Sequence, residues 1–416
     1  MKIRKTFPFH APENIFGKRK IAKGVLLSSI KKIAVFHMLP SGGGIRVLRQ
    51  FTDELSSSFQ LHIHQPAGAS SARGRSKLEE TIYPYPMWRK PSGYLRPVAP
   101  LFLILRLLSF KHVCRQAALN INRTADAVLV HNSMPVAAAP VLKYLNIPSA
   151  YFCFEHPRHI YEKDIIRRTS NAFTELALKP LALLEKRMDK QSARAATQII
   201  TFSEHMRKNV KSIYGRDAAI VRPGVDSTFF HPADKQTVTE NYVLSVGALW
   251  PFKGHETAIR ILSLINSDIR PEIRIVADRG YPGYDAKLFA LASGLGVKVK
   301  IQQNITDEGL RELYRGAKAV ICCQRREPYG LVPLEAMACG SPVLAINEGG
   351  FADNIINGKT GLLFPGTAET GAESLLKILA ESEEITKMKA EGRHFAVNNR
   401  SIAHGTFELG KILESL

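Results

Sequence analysis

The 416 residues include 57 Lys and Arg against 37 Asp and Glu, a formal net charge of +20, and that excess draws polyanions (nucleic acid, anionic lipid or phosphorylated substrates) without choosing among them. With 45% hydrophobic and 8% aromatic residues the chain can bury a large core, which excludes a disordered or collagenous class, and its length suits two or three domains. Five cysteines, none in a Cys-x-x-Cys pair, exclude a disulfide framework and a structural zinc site.

Most of those cysteines (Cys114, Cys153, Cys322, Cys323, Cys339) lie in apolar runs and read as buried thiols of a reducing compartment. Residues 1–30 read as a basic leader whose run Val25 to Leu27 is too short for a signal peptide. Ile33 to Leu39 reads as a strand. Gly42, Gly43 and Gly44 follow, then a helix with Ile45, Leu48, Phe51 and Leu55 at three- and four-residue spacing. Strand, glycine turn and helix open a Rossmann-like unit. The glycines either admit a ligand close to the backbone or serve a tight turn alone. The Gly-x-Gly-x-x-Gly fingerprint is absent, so no dinucleotide is implied.

Phe59 to His64 alternates like a half-buried strand, and Leu78 to Trp88 holds another. Leu95 to Asn120 reads as one or two helices mixing leucines with Arg96, Arg106, Lys111, His112 and Arg115. It is either a core helix with a solvated basic side or a membrane-surface helix. Its most apolar window, Val98 to Phe110, is too short to span a bilayer. Ala127 to Val130 is a strand ending at His131, Pro135 to Leu145 a helix, and Ala150 to Phe154 a strand ending at Glu155 and His156. Doubly wound sheets bind ligands at such strand ends. Arg158 to Arg194 is a long helical region broken near Pro180. Gln198 to Phe202 is a strand, and Ser203 caps a helix to Tyr214. Ala218 to Val221 leads into Arg222-Pro-Gly-Val-Asp226, and the polar stretch 234–240 reads as a hinge.

The pattern then restarts. Tyr242 to Val246 is a strand, followed by Gly247-Ala-Leu-Trp-Pro-Phe-Lys-Gly254 and a helix to Ile265. Strands at Ile273 to Val276, Val297 to Ile301, Ala319 to Cys323, Pro342 to Ile346 and Thr360 to Phe364 alternate with helices at Asp285 to Gly294 and Asp307 to Gly316, and Gly371 to Leu416 is largely helical. This alternation predicts two doubly wound α/β domains facing a cleft.

The central stretch is Arg326-Glu-Pro-Tyr-Gly-Leu-Val-Pro-Leu-Glu-Ala-Met-Ala-Cys-Gly340. Glu327 and Glu335 bracket a loop around Gly330. Pro333 is expected at the first helical position, which puts Glu335 in the first turn. The amides from Gly330 through Leu331 and Val332 to Leu334 are then orphan donors at a helix start, a place for phosphate.

This text, with Pro223-Gly-Val-Asp226, Phe230, Pro232, Val246-Gly247, Lys253-Gly254, Gly349-Gly350 and Thr360-Gly-Leu-Leu363, resembles the retaining GT-B glycosyltransferases of family 4 (glycosyl transferases group 1) from about Ile33 onward. Tyr151 to Glu162 is also similar to a subgroup of that family. After the basic leader (1–30), the resemblance implies an acceptor-side domain (31–226), a nucleotide-sugar domain (227–390) and a last helix (391–416) crossing back. Glu335 would bind the donor ribose and Glu327 the sugar hydroxyls. Amides near Gly330, Leu331 and Val332 would meet the diphosphate, and Lys253 would neutralise it as it leaves. His131 would sit near the transferring carbon. Gly247, Gly43 and Gly44 would approach the donor. Gly42, Glu155, His156 and Arg158 are acceptor-side candidates. Members commonly carry arginine where this chain has Ala248, so Arg222, Arg279 or Arg325 would have to substitute.

The implied activity is retaining transfer of a hexose from a UDP- or GDP-linked donor to a glycan or lipid-linked hydroxyl, in bacterial-type surface polysaccharide or glycolipid synthesis. No cofactor is expected. The absence of Asp-x-Asp anywhere in the chain argues against a metal-bridged diphosphate. The basic charge fits a cytoplasmic enzyme peripheral on the inner face of an anionic membrane. No nucleic-acid module is present, so nucleic acid is not an expected partner. The alternatives are a GT-B epimerase or phosphorylase, and a polyanion- or membrane-binding protein on a degenerate scaffold.

Overall fold

The computed structural model describes residues 30–86, 99–165, 172–233 and 240–416. The leader, residues 95–98, part of the region after Arg158 and the hinge at 234–239 lie outside the described residues.

Two parallel sheets carry the fold. The first has seven strands in the order β3-β2-β1-β4-β5-β6-β7: β1 Lys32–Met38, β2 Gln60–Pro66, β3 Glu79–Tyr83, β4 Ala127–Ser133, β5 Ser149–Phe152, β6 Gln198–Thr201 and β7 Ala219–Ile220. The second has six in the order β10-β9-β8-β11-β12-β13: β8 Tyr242–Val246, β9 Glu272–Ala277, β10 Val299–Gln303, β11 Ala319–Cys322, β12 Val343–Ile346 and β13 Leu362–Phe364. The central strands β5, β11 and β12 are buried at every residue, which is why they read as unbroken apolar runs. Each such aliphatic side chain contributes about 1.5–3 kcal/mol by leaving water. All five cysteines are buried and free, small apolar residues of these cores.

The helices are α1 Gly43–Leu55, α2 Ala99–Thr124, α3 Arg158–Tyr161, α4 Ala172–Ala195, α5 Glu204–Tyr214, α6 His255–Ser263, α7 Tyr284–Gly294, α8 Asp307–Gly316, α9 Leu331–Ala338, α10 Phe351–Asn354, α11 Ala368–Leu379, α12 Glu383–Asn399 and α13 Ile402–Ser415. The Ser203 hydroxyl accepts the Met206 amide and Gly215 closes α5 in the left-handed region, so that helix starts and stops where its caps dictate. α13 lies against α1: Lys31 donates to the Leu413 carbonyl at 2.9 Å, and Gly410 faces Leu55 and Phe59. No helix among the described residues is long and apolar enough to cross a membrane.

Three local expectations change. Pro135 to Leu145 is not a helix, and only Pro140–Lys143 forms a short 3-10 turn. The Ala138 amide is taken instead by the buried Asp189 carboxylate on α4, at 2.9 Å. α4 runs through Pro180 unbroken. The carbonyl that loses its donor belongs to Leu176, a residue 66% exposed, where water can take that place. α2 is one helix, and its solvated side carries leucines as well as bases: Leu101, Leu105 and Leu108 are 57%, 40% and 48% exposed, with Lys111, His112 and Arg115 following them.

Candidate active site

The carboxyl ends of β8 and β11 meet at Lys253. The turn Pro251–Lys253 follows β8, and Gly254 ends it at φ +78°, where an L side chain is strained. A Cβ there would also collide with the Cys323 carbonyl, so only glycine lets this turn close on the end of β11. The lysine stem runs beside Gly247, and its ammonium meets Glu327 Oε2 at 2.9 Å, both side chains about one-fifth exposed (23% and 20%). His255 fixes the adjoining loop: its Nε2 lies 3.1 Å from the Gly247 carbonyl and 3.3 Å from that of Ala248, and Nδ1 lies 2.9 Å from Ser245 Oγ.

His255 is wholly buried, and burial lowers its pKa from 6.5 to about 4. His37 and His64, at the ends of β1 and β2, are likewise pushed by burial to about 4 and about 3. The folded state therefore holds these imidazoles neutral while the unfolded chain protonates them near pH 6.5. Their stabilisation is complete above that pH and is lost as pH falls toward 4. Asp189, raised by burial to about 7, runs the other way. The melting temperature is expected to fall as pH drops from 7 to 4, by an amount equivalent to a few kcal/mol. A scan of melting temperature against pH checks this, and His255→Gln should flatten part of the slope.

Glu327 is set by the loop to Gly330, and Gly349 and Gly350 back that loop. The Gly350 amide donates to the Glu327 carbonyl at 2.7 Å. Gly349 has φ +66°, and a Cβ there would collide with the Glu327 backbone. The first sheet's domain also grips the loop. Ser203 Oγ donates to the Pro328 carbonyl at 2.7 Å, and the buried Tyr329 hydroxyl donates to the Pro223 carbonyl. The Tyr329 hydroxyl thus makes a cross-domain hydrogen bond. Tyr329→Phe leaves that carbonyl unpaired and is expected to cost about 1–2 kcal/mol, measurable by urea denaturation.

Glu335 departs from expectation. α9 begins at Leu331, with Gly330 (φ +91°) as its cap, so Leu331 and Val332 are its first two residues and Pro333 the third. The proline still costs no bond, because the first four amides have no helical partner. Glu335 then falls in the second turn and is buried, 4% exposed. Arg46 of α1 reaches across the cleft to Oε1 at 2.9 Å, and the Tyr314 hydroxyl of α8 donates to Oε2 at 2.8 Å. The carboxylate raises the Arg46 pKa, while burial followed by Glu335 raises that of Tyr314.

The other candidates divide. Gly42 and Gly43 do face the second domain. A Cβ on Gly42 would lie 3.2 Å from Arg279 Nη2, and one on Gly43 would lie 3.6 Å from Leu331. Gly44 instead packs on the Phe154 ring. His131 is not brought to the Lys253–Glu327 pair's solvent: it is 0% exposed, its ring centroid 5.5 Å from that of Phe152 and 4.9 Å from that of Phe154. Burial first, then His37, lowers its pKa well below the usual range. Glu155 stays accessible in a cavity of about 490 Å³ lined also by Asn132, Arg106, Leu107, Leu181 and Phe252. Burial raises its pKa, Arg158 and Lys253 lower it, and Glu327 raises it, so this acid lies within the field of the Lys253–Glu327 pair. His156 and Arg158 are architectural: both bond Glu162, at 3.0 and 2.7 Å, and Arg158 also donates to the Arg325 carbonyl at 2.8 Å.

Of the three cations that would offset Ala248, Arg325 is held by Glu348 at 2.8 Å. Arg222 lies behind the loop, where it and Arg400 act on Tyr329. Arg279 is half-exposed beside Gly42, and its loop pairs with Leu249. Arg46, Tyr314, His255 and Asn132, whose Oδ1 accepts the Phe154 amide at 2.9 Å, carried no signal in the sequence. Their partners lie between 7 and 289 residues away in the chain.

Two family descriptions match consecutive segments: Glycosyltransferase Family 4 over residues 41–229 and Glycosyl transferases group 1 over 226–395. D-inositol 3-phosphate glycosyltransferase from Rhodococcus opacus (strain B4) is 30% identical over 256 residues, 55% of this chain and 57% of that protein. The chain thus spans about half the length of the curated relatives it matches. Among solved structures, sucrose-phosphate synthase from Thermosynechococcus elongatus superposes with a TM-score of 0.72 at 17% identity, covering 92% of this chain and 98% of that one. HepE from Anabaena, in complex with UDP and glucose, gives 0.72 at 16%, covering 93% and 100%. With both halves matched in order and the two parallel sheets of the GT-B fold in place, the chain belongs to the glycosyl transferases of group 1.

Proposed function

We propose that the protein transfers a hexose from a nucleoside diphosphate sugar, UDP- or GDP-linked, to a hydroxyl of a glycan or lipid-linked acceptor, with retention and without a metal. The observation that carries the reading is the Lys253–Glu327 contact at the helix start of Gly330 to Val332, with Glu335 one helix turn beyond. The ammonium and the free amides of α9 would take the diphosphate, placing positive charge where negative charge grows as the sugar leaves. Arg279, across from Gly42, would supply the second cation that Ala248 cannot. Glu327, released from Lys253 by the phosphates, would turn to the sugar hydroxyls, and Glu335 would exchange a bond to Arg46 for one to the ribose. The relative named for inositol 3-phosphate and the HepE complex with UDP support this substrate class. His131 is left without a role on the reacting atoms. Glu155, in the cavity beside the pair, is the acceptor-side acid of this reading.

The leucines and bases on the solvated side of α2 support docking on an anionic leaflet, which would bring a lipid-linked acceptor to the adjoining cavity. A thermal-shift panel of UDP- and GDP-hexoses tests the donor. A ligand at 100 times its Kd stabilises the folded state by about 2.7 kcal/mol. A rise confined to one base identifies it, and no rise with any nucleotide sugar would refute the reading.

A further inference from the structure

A second cavity, of about 420 Å³, opens between α4, α5 and the turn at Arg326. α4 presents Lys186 and Lys190, and α5 presents His205, Asn209 and Ser212, in each case on one helix face by their three- and four-residue spacing. Arg326 and Tyr161 complete the wall. The chemistry of this lining is one-sided. Its one carboxylate, Glu162, is already bonded on both oxygens, by His156 at 3.0 Å and Arg158 at 2.7 Å. His156 is 5% exposed, yet its Nδ1 has no partner, and the Tyr161 hydroxyl is buried without one. Among the described residues, Lys186 meets only the Tyr161 ring, 5.4 Å away, and Lys190 has no ion pair. Arg326 pairs with the exposed Asp164 at 2.8 Å.

Basic side chains on a helix usually make a solvated face. Here they converge in a concave site with a buried, unpartnered imidazole nitrogen, and among the described residues no free carboxylate opposes them. We propose that this cavity is a phosphate-binding site, separate from the donor cleft, and that its occupant is a phosphate or phosphate monoester. Such a dianion brings three acceptor oxygens to a surplus of charged and neutral donors. Two sources share that chemistry. One is a lipid headgroup: Leu176, Lys179, Leu183, Lys186 and Lys190 form one stripe of α4, with Leu176 and Leu183 66% and 59% exposed. The other is a soluble phosphate ester. The inference does not depend on which nucleotide sugar, if any, fills the cleft.

The test is a titration of inorganic phosphate into the full chain, against chloride at matched ionic strength, followed by melting temperature. A saturable rise is expected in the wild type and in Lys253→Ala, whose donor-cleft cation is removed, and the rise is expected to vanish in Lys186→Ala/Lys190→Ala. Both lysines are on the surface stripe, so that variant folds, and its own melting temperature in chloride verifies this. No saturable rise in the wild type, or a rise that survives the double variant, overturns the proposal. So does a rise lost in Lys253→Ala, which would place the phosphate in the donor cleft. Co-sedimentation with phosphatidylcholine vesicles carrying phosphatidic acid separates the sources. Loss of vesicle binding in the double variant assigns the headgroup, and retained vesicle binding with a lost phosphate response assigns a soluble ester.

Discussion

Lys253→Ala is expected to lower the rate of sugar transfer by about 100- to 1,000-fold with the fold intact. The lysine holds one end of the only ammonium–carboxylate contact described at the mouth of the α9 amides, 2.9 Å from Glu327. Among the described residues, it is the lysine placed where a diphosphate leaving toward that helix start would build charge. Its side chain is 23% exposed and its backbone turn is fixed by Gly254, so truncation leaves no buried cavity. Glu327→Ala is expected to give a loss of the same order through the sugar hydroxyls. Release of nucleoside diphosphate, followed in a coupled assay on protein checked by circular dichroism, reads both. Wild-type turnover in either variant would remove the pair from the mechanism.

Arg46→Ala is expected to destabilise the protein by about 3 kcal/mol. The guanidinium is the cation at Oε1 of Glu335, a carboxylate only 4% exposed, and without it that charge keeps the Tyr314 hydroxyl alone. With Glu335 buried and Arg46 one-third exposed, removing the arginine alone strands the carboxylate and costs more than removing both. Arg46→Met with Glu335→Leu should therefore recover most of the loss. Urea denaturation of the single and double variants reads the difference. A single-variant loss below about 1 kcal/mol, the range of exposed pairs, would mean that Glu335 is solvated. The same pair joins the two domains across the cleft, so the proposed ribose binding would compete with domain contact for one carboxylate.

What the sequence discloses and what it withholds follow one division. The buried strands β8, β11 and β12 were legible because a strand covered on both faces must be apolar throughout, and the cap Ser203 because a helix start needs a local acceptor. The Glu327 loop was legible as a motif. Its supports were not, because they come from distant chain: Gly349 under the Glu327 backbone, Ser203 on Pro328, and Tyr329 on Pro223. Pro135 to Leu145 failed as a helix because Asp189, more than forty residues on, takes the Ala138 amide. His131 looked like a strand-end ligand by position alone, since nothing local records that Phe152 and Phe154 enclose it. Glu335 was read as a first-turn charge because the cap was placed at Val332 rather than Gly330, a shift of two residues that changes its neighbours from water to Arg46 and Tyr314.

The central claim is that the cleft around Lys253, Glu327 and Glu335 binds a nucleoside diphosphate. Calorimetric titration of UDP and of GDP into the wild type and into Lys253→Ala tests it most directly. The expected result is one-to-one binding of one of the two nucleotides, weakened at least about tenfold in the variant, the change that loss of one charge-assisted phosphate contact gives. Folded wild-type protein that binds neither nucleotide, or that binds one with the same affinity after Lys253→Ala, would contradict it.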